Sequence, residues 1–80
     1  MPILEQKEKF KRFISEVWES LKFGEAKYGP DTFRNSTDEE MFEGITHNLH
    51  KYMNERRWKG YLLAAVGYIF LMGVRDKKWK

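Results

Sequence analysis

Three acidic residues, Glu39, Glu40 and Glu43, stand close enough in the chain to act together. On a helix, spacings of i, i+3 and i, i+4 put their carboxylates on roughly one side, where they repel one another. A divalent cation relieves such repulsion. Hard oxygen ligands suit Mg²⁺, which normally arrives with substrate phosphates. The same acids also favour the first turn of a helix, where the dipole welcomes anions, so capping stands beside metal binding as a reading of this cluster. A second group is His47 and His50, with Lys51 adjoining and Arg34 upstream. Imidazoles that titrate near neutrality can donate to phosphate or exchange protons. Their i, i+3 spacing and the want of a third soft ligand argue against zinc. The plain alternative is two solvent-facing histidines on a polar stripe. A third group is the basic C-terminal half with Trp58 and Trp79. Cations and rings together can grip a single nucleic-acid strand. No helix-turn-helix, RNP-type strand or finger spacing accompanies them, and a solubilising charged tail is the simpler reading. With no cysteine, a disulfide framework, a thiolate metal site and a cysteine nucleophile are excluded. Phosphate loops, nucleophile elbows and zincin motifs are also lacking.

Helices must position these groups. Phe10, Phe13, Ile14, Val17, Trp18 and Leu21 follow helical spacing, and Gly24 and Tyr28 continue that face, which predicts a helix over about 3–28. Gly29 followed by Pro30 stops it. Phe23 lies off the apolar face among charges, either as a scattered surface aromatic or as an anchor for a second chain. After a loop at 30–36, Thr37 and Glu40 form a capping box that opens a helix over about 38–58. Its apolar stripe is Met41, Phe42, Ile45, Leu49, Tyr52 and Met53; Glu40, Glu43, His47, His50 and Lys51 lie opposite. Gly60 punctuates its end. The third helix, about 61–74, has fourteen residues without a charge. That is short of the roughly 20 a membrane span needs and typical of a buried helix. A helix apolar all round must be covered all round, and two amphipathic neighbours cannot readily surround it. The expectation is an all-α chain, a single helical domain of three helices with a basic tail at 75–80, that associates into an oligomeric bundle. Ala64 and Gly67, on a ridge of small residues, are candidate interface positions with Phe23.

The chain has 80 residues, at which size only about 60% of the unfolded surface is hidden on folding. Partners therefore matter to its stability. Its net charge of +3 conceals an asymmetry. Residues 1–50 carry 7 basic and 10 acidic side chains, and residues 51–80 carry 8 and 2. Such a dipolar chain attracts an anionic partner at one end or pairs with itself. The N-terminal residues carry charge too early for a secretory signal, and a cytoplasmic, non-membrane protein is expected.

The stretch GEAKYG closing the first helix, TFRN in the loop, THNLHKY on the second helix and YLLAAVGYIFLM on the third together resemble a known group. They are similar to the small phage-type dATP/dGTP diphosphohydrolase-like proteins, which look like relatives of the MazG-type all-α nucleoside triphosphate pyrophosphohydrolases. The resemblance implies that Glu39, Glu40 and Glu43 match a Glu-Glu-x-x-Glu step that holds Mg²⁺ on nucleotide phosphates, and that subunits associate through helices. The family's second acidic step belongs on the following helix, which here has no acid. Three functions follow as expectations. The first is a phage or mobile-element type oligomer that binds or sequesters a nucleotide between subunits without a catalytic metal, through Lys27, Tyr28, Arg34, His47, His50 and Lys51. The second is a Mg²⁺-dependent pyrophosphohydrolase. The third is an interaction module that inhibits a host protein through Phe23, Trp58 and Trp79.

Overall fold

The structure is a computed structural model and describes residues 2–29 and 34–79. A 3-10 turn, Ile3–Gln6, leads into α1, Lys7–Tyr28; α2 is Asp38–Asn54 and α3 is Lys59–Arg75. No strand occurs among the described residues. The all-α expectation holds. Of the predicted loop at 30–36, residues 30–33 lie outside the described residues.

Each boundary has a local cause. α1 stops where Gly29 takes a φ of 91° and donates its N–H to Glu25 O at 2.8 Å, a conformation that favours glycine. The capping box at the start of α2 is complete: Glu40 N–H donates to Thr37 Oγ1 at 3.1 Å, and Thr37 N–H donates to Glu40 Oε1 at 3.0 Å. α2 ends at Asn54 and not near 58. The Asn54 side chain donates back to His50 O at 3.1 Å, and Arg56 N–H closes the last turn onto Lys51 O at 3.0 Å. Trp58 then turns extended, and α3 begins two residues earlier than the spacing predicts. Gly60 is thus inside the first turn of α3 and is no punctuation. The Trp58 ring lies over it, where a Cβ would sit 2.5 Å from ring atoms, and meets Tyr61 edge-on at 5.2 Å.

α3 is the centre of the molecule. It runs antiparallel to α2: Arg75 pairs with Asp38, Tyr68 lies on Gly44, and Tyr61 lies under Lys51. It runs parallel to α1: Lys59 Nζ meets Glu16 Oε1 at 2.9 Å, and Leu21 packs on Gly67. Among the described residues no Cα of α1 comes within 8 Å of one in α2. The three helices therefore form one layer, bent about α3. Since Glu16 stands level with the start of α3, Lys7–Ser15 overhangs it by about 14 Å at 1.5 Å per residue. Phe10 and Phe13 pack on each other there with ring centroids 6.3 Å apart.

One layer makes a small core. Among the described residues only Val17, Met41 and Ala65 are buried apolar side chains, one from each helix, and Met41 is 0% exposed. The radius of gyration is 13.5 Å, against about 11.7 Å for a compact chain of this length. The tail is partly tied down. Trp79 folds over Gly73, covers it, and donates from Nε1 to Phe70 O at 2.9 Å. Among the described residues no helix is long and apolar enough to cross a membrane.

Candidate functional site

Two concavities flank the seam between α1 and α3, and Leu21 and Leu71 form a wall common to both. The first is the cleft on the inner side of the bend, about 630 Å³, where α1 and α2 stand apart over α3. Phe23, Tyr28, Glu40, Glu43, His47 and Tyr68 line it. Ala64 and Gly67 form its floor. The topology makes this neighbourhood: the polar stripe of α2 faces across the cleft toward the end of α1, because both helices lean on the same side of α3. No lysine or arginine lines it among the described residues, so its field is acidic.

The second is a groove of about 530 Å³ on the other flank, toward the C-terminal ends of α1 and α3. Its rings are Trp18 and Phe70, and its cations are Lys22, Arg34, Arg75 and Lys77, opposed by Glu25. Parallel packing of α1 on α3 explains the assembly. It brings the basic end of α3 beside the α1 turn that carries Trp18 and Lys22. Lys77 holds a positive φ of 57° as the chain turns out of α3. Arg75 is the anchor of this end. Its side chain, 17% exposed, donates to Ser36 O at 3.1 Å and Asp38 Oδ1 at 2.5 Å, and from Nε to Asp76 Oδ1 at 2.9 Å. The hydrogen bonds to Asp76, then to Asp38, raise the Arg75 pKa, and the bond from Arg75 lowers that of Asp76. The guanidinium is therefore a fixed positive charge, oriented by its acids, at the end of the groove.

The predicted site residues are dispersed. Tyr28 and His47 line the cleft, while Arg34 lines the groove. Lys27 lies over the Tyr28 ring at 5.1 Å, and Lys51 over the Tyr61 ring at 5.8 Å. His50 Nδ1 lies 3.1 Å from Asn54 Nδ2, on the exposed side of α2. Within one chain the six do not line a single concavity. Of the acids expected to hold magnesium, Glu40 spends its carboxylate on the Thr37 N–H and Glu39 is exposed in the first turn; no three His, Cys, Asp or Glu side chains among the described residues come together to hold a metal. Capping is what placed these acids. Gly67 is buried against Leu21 of its own chain. Ala64 joins it in the cleft floor, and Phe23 is 71% exposed at the cleft edge. Trp58 and Trp79 are each partly committed to their own chain, over Gly60 and Gly73.

Trp18, Lys22 and Phe70 are not among the residues the sequence singles out for a ligand, and Arg75 and Lys77 enter there only as part of the basic C-terminal half, read more simply as a solvated tail. Trp18 sits within the core stripe of α1. The available signal was Lys22 at i+4 from Trp18, a cation and a ring on one helix face. In comparisons with known proteins, no family model matches the chain, and neither the curated proteins nor the solved structures hold a match at a significant level.

Proposed function

We propose that this chain is a small, self-associating helical protein of the cytoplasm that binds a nucleotide-like ligand in the basic groove between α1 and α3. The observation that carries this reading is the pairing of two rings, Trp18 and Phe70, with three cations, Lys22, Arg34 and Lys77, in one concavity that the acid-bound Arg75 closes at its end. Phosphates favour the cations, guanidinium forks above all. A planar base gains about 1–3 kcal/mol by stacking on an aromatic side chain. Binding, as opposed to hydrolysis, fits the side chains: the groove's acid is Glu25, and the α2 carboxylates lie in the other concavity. Sequestration of a nucleotide needs no more than this.

Calorimetry of the whole chain against linear and cyclic nucleotides, without added metal, tests the proposal. Saturable binding that Trp18→Ala weakens about 5- to 150-fold is expected. Affinity should also fall as salt rises, because Lys22, Arg34 and Lys77 are exposed to solvent. Silence across the panel, or binding indifferent to Trp18→Ala and to salt, would remove the reading.

A further inference from the structure

The outer side of the bent layer carries a second observation, independent of the groove. Gly67 touches α1 and Tyr68 touches α2, so the direction between them is the inner side of the bend. At 100° per residue, Leu62, Val66 and Ile69 then point the opposite way. Ile69 is 50% exposed, and α3 has no charge between Gly60 and Val74. On α2, Glu40, Glu43, Gly44 and His47 line the inner cleft, which turns Phe42, Leu49 and Met53 outward beside α3; all three are exposed. These six side chains make one apolar face across two helices. Contiguous apolar surface of this kind marks an interaction site.

The area says what covers it. A compact folded chain of 9.7 kDa exposes about 5,100 Å². This one exposes 6777 Å², about 1,700 Å² more. If two copies each hide two thirds of that excess, about 2,200 Å² is buried in total, within the range of obligate homodimers. Stable domains are built from two packed layers, and this chain supplies one. With a core of Val17, Met41 and Ala65 among the described residues, the layer needs its cover in every state. The partner present whenever the chain is present is another copy. We infer that the α2–α3 outer face, through Phe42, Leu49, Met53, Leu62, Val66 and Ile69, seats the same face of a second chain in a two-fold, two-layer dimer. The inner cleft and its acids then face away from the dimer seam. This locates the self-association; it does not depend on what the groove binds.

Sedimentation equilibrium of the full chain reads the outcome. The wild type is expected at twice the 9.7 kDa of one chain. Ile69→Glu and Leu49→Glu, at positions already half open in one chain, should each raise the dissociation constant about 30-fold or more. Phe23→Glu, on the inner side, should leave it unchanged. Circular dichroism of each variant checks that helices remain. Because the chain lacks cysteine, a single Met53→Cys variant adds a readout that tolerates a weakened fold: a thiol-directed label should react faster on dilution as the dimer parts. A wild-type monomer, a dimer broken by Phe23→Glu and not by Ile69→Glu, or a monomer that sediments with anionic lipid vesicles through this face would each overturn the inference.

Discussion

Gly24→Ala and Gly44→Ala are the same chemical change in the interiors of two helices, and the fold gives them different outcomes. In a helix interior, alanine is worth about 1 kcal/mol more than glycine. At Gly24 an added Cβ meets nothing within 4 Å, so that gain should appear in full. At Gly44 the Cβ would stand 2.6 Å from Tyr68 Cζ and 2.8 Å from both ring Cε atoms. Three contacts well inside van der Waals separation force the ring off its seat, and overpacking of this kind costs about 1–3 kcal/mol. The net change at Gly44 is then between zero and a loss of about 2 kcal/mol. Because helix propensity cancels between the variants, their difference reports the clash alone. For a domain of this size 1 kcal/mol moves Tm by about 4–8 °C. Gly24→Ala should therefore melt about 4–8 °C above the wild type, and Gly44→Ala at least about 4 °C below Gly24→Ala. Thermal melts followed by circular dichroism at one fixed chain concentration decide it, since self-association makes Tm concentration-dependent. Equal gains in both variants would refute the seating of Tyr68 on Gly44 and with it the α2–α3 register. A loss in Gly24→Ala would mean that the space beside Gly24 is filled in solution, which would relocate the subunit contact to the inner cleft.

Met41→Ala should lose about 2–5 kcal/mol in urea denaturation, because it empties a side chain fully sealed from water; a loss under about 1 kcal/mol would mean that α2 does not dock as described. Thr37→Ala removes the hydroxyl that accepts the Glu40 N–H. About 1 kcal/mol should go with it, and Thr37→Ser should restore most of it. Asp76 has its pKa lowered by the hydrogen bond from Arg75. Its stabilising contribution is complete above the ordinary carboxylate value of about 4. It is lost as pH falls through the lowered one. Urea midpoints measured at a series of acidic pH values should fall less steeply for Asp76→Asn than for the wild type, and parallel curves would show that the pair does not couple to folding.

Much of the architecture is legible from local chemistry. The Thr37–Glu40 box, the Gly29 stop and the apolar run after Gly60 are short-range signals, and each marks an element within a few residues of where it lies. The misplaced boundary between α2 and α3 has a tertiary cause: Gly60 resembles a stop, yet it is small because the Trp58 ring needs its place. The candidate site was much less legible. Glu39, Glu40 and Glu43 satisfy a carboxylate spacing that helix capping satisfies equally, and spacing cannot separate the two. His50 and Lys51 share a helix with His47, but their partners, Asn54 and Tyr61, draw them elsewhere. Which ends of helices meet is decided by topology. Only the parallel run of α1 along α3 puts Lys22 and Trp18 beside Phe70 and Lys77.

That topology also gives the charge asymmetry a spatial meaning. Along the chain the acids gather before residue 50 and the bases after it. In an antiparallel pair such as α2 and α3 this brings opposite charges together, and Arg75 does meet Asp38. Glu40 and Glu43 line the cleft; Lys22, which also pairs with Glu19 at 3.0 Å, lines the groove with Arg34 and Lys77; Leu21 and Leu71 stand between. A phosphate therefore meets opposite fields on the two sides of one apolar wall. At the protein surface a pair of unit charges about 4 Å apart is worth about 4 kcal/mol at an effective dielectric of 20. A preference far smaller than that already biases an anion to the groove. The cleft is the larger space, but size does not choose the site for a charged ligand. In the proposed reading the groove is favoured because its rings and its cations serve the two halves of one nucleotide-like molecule.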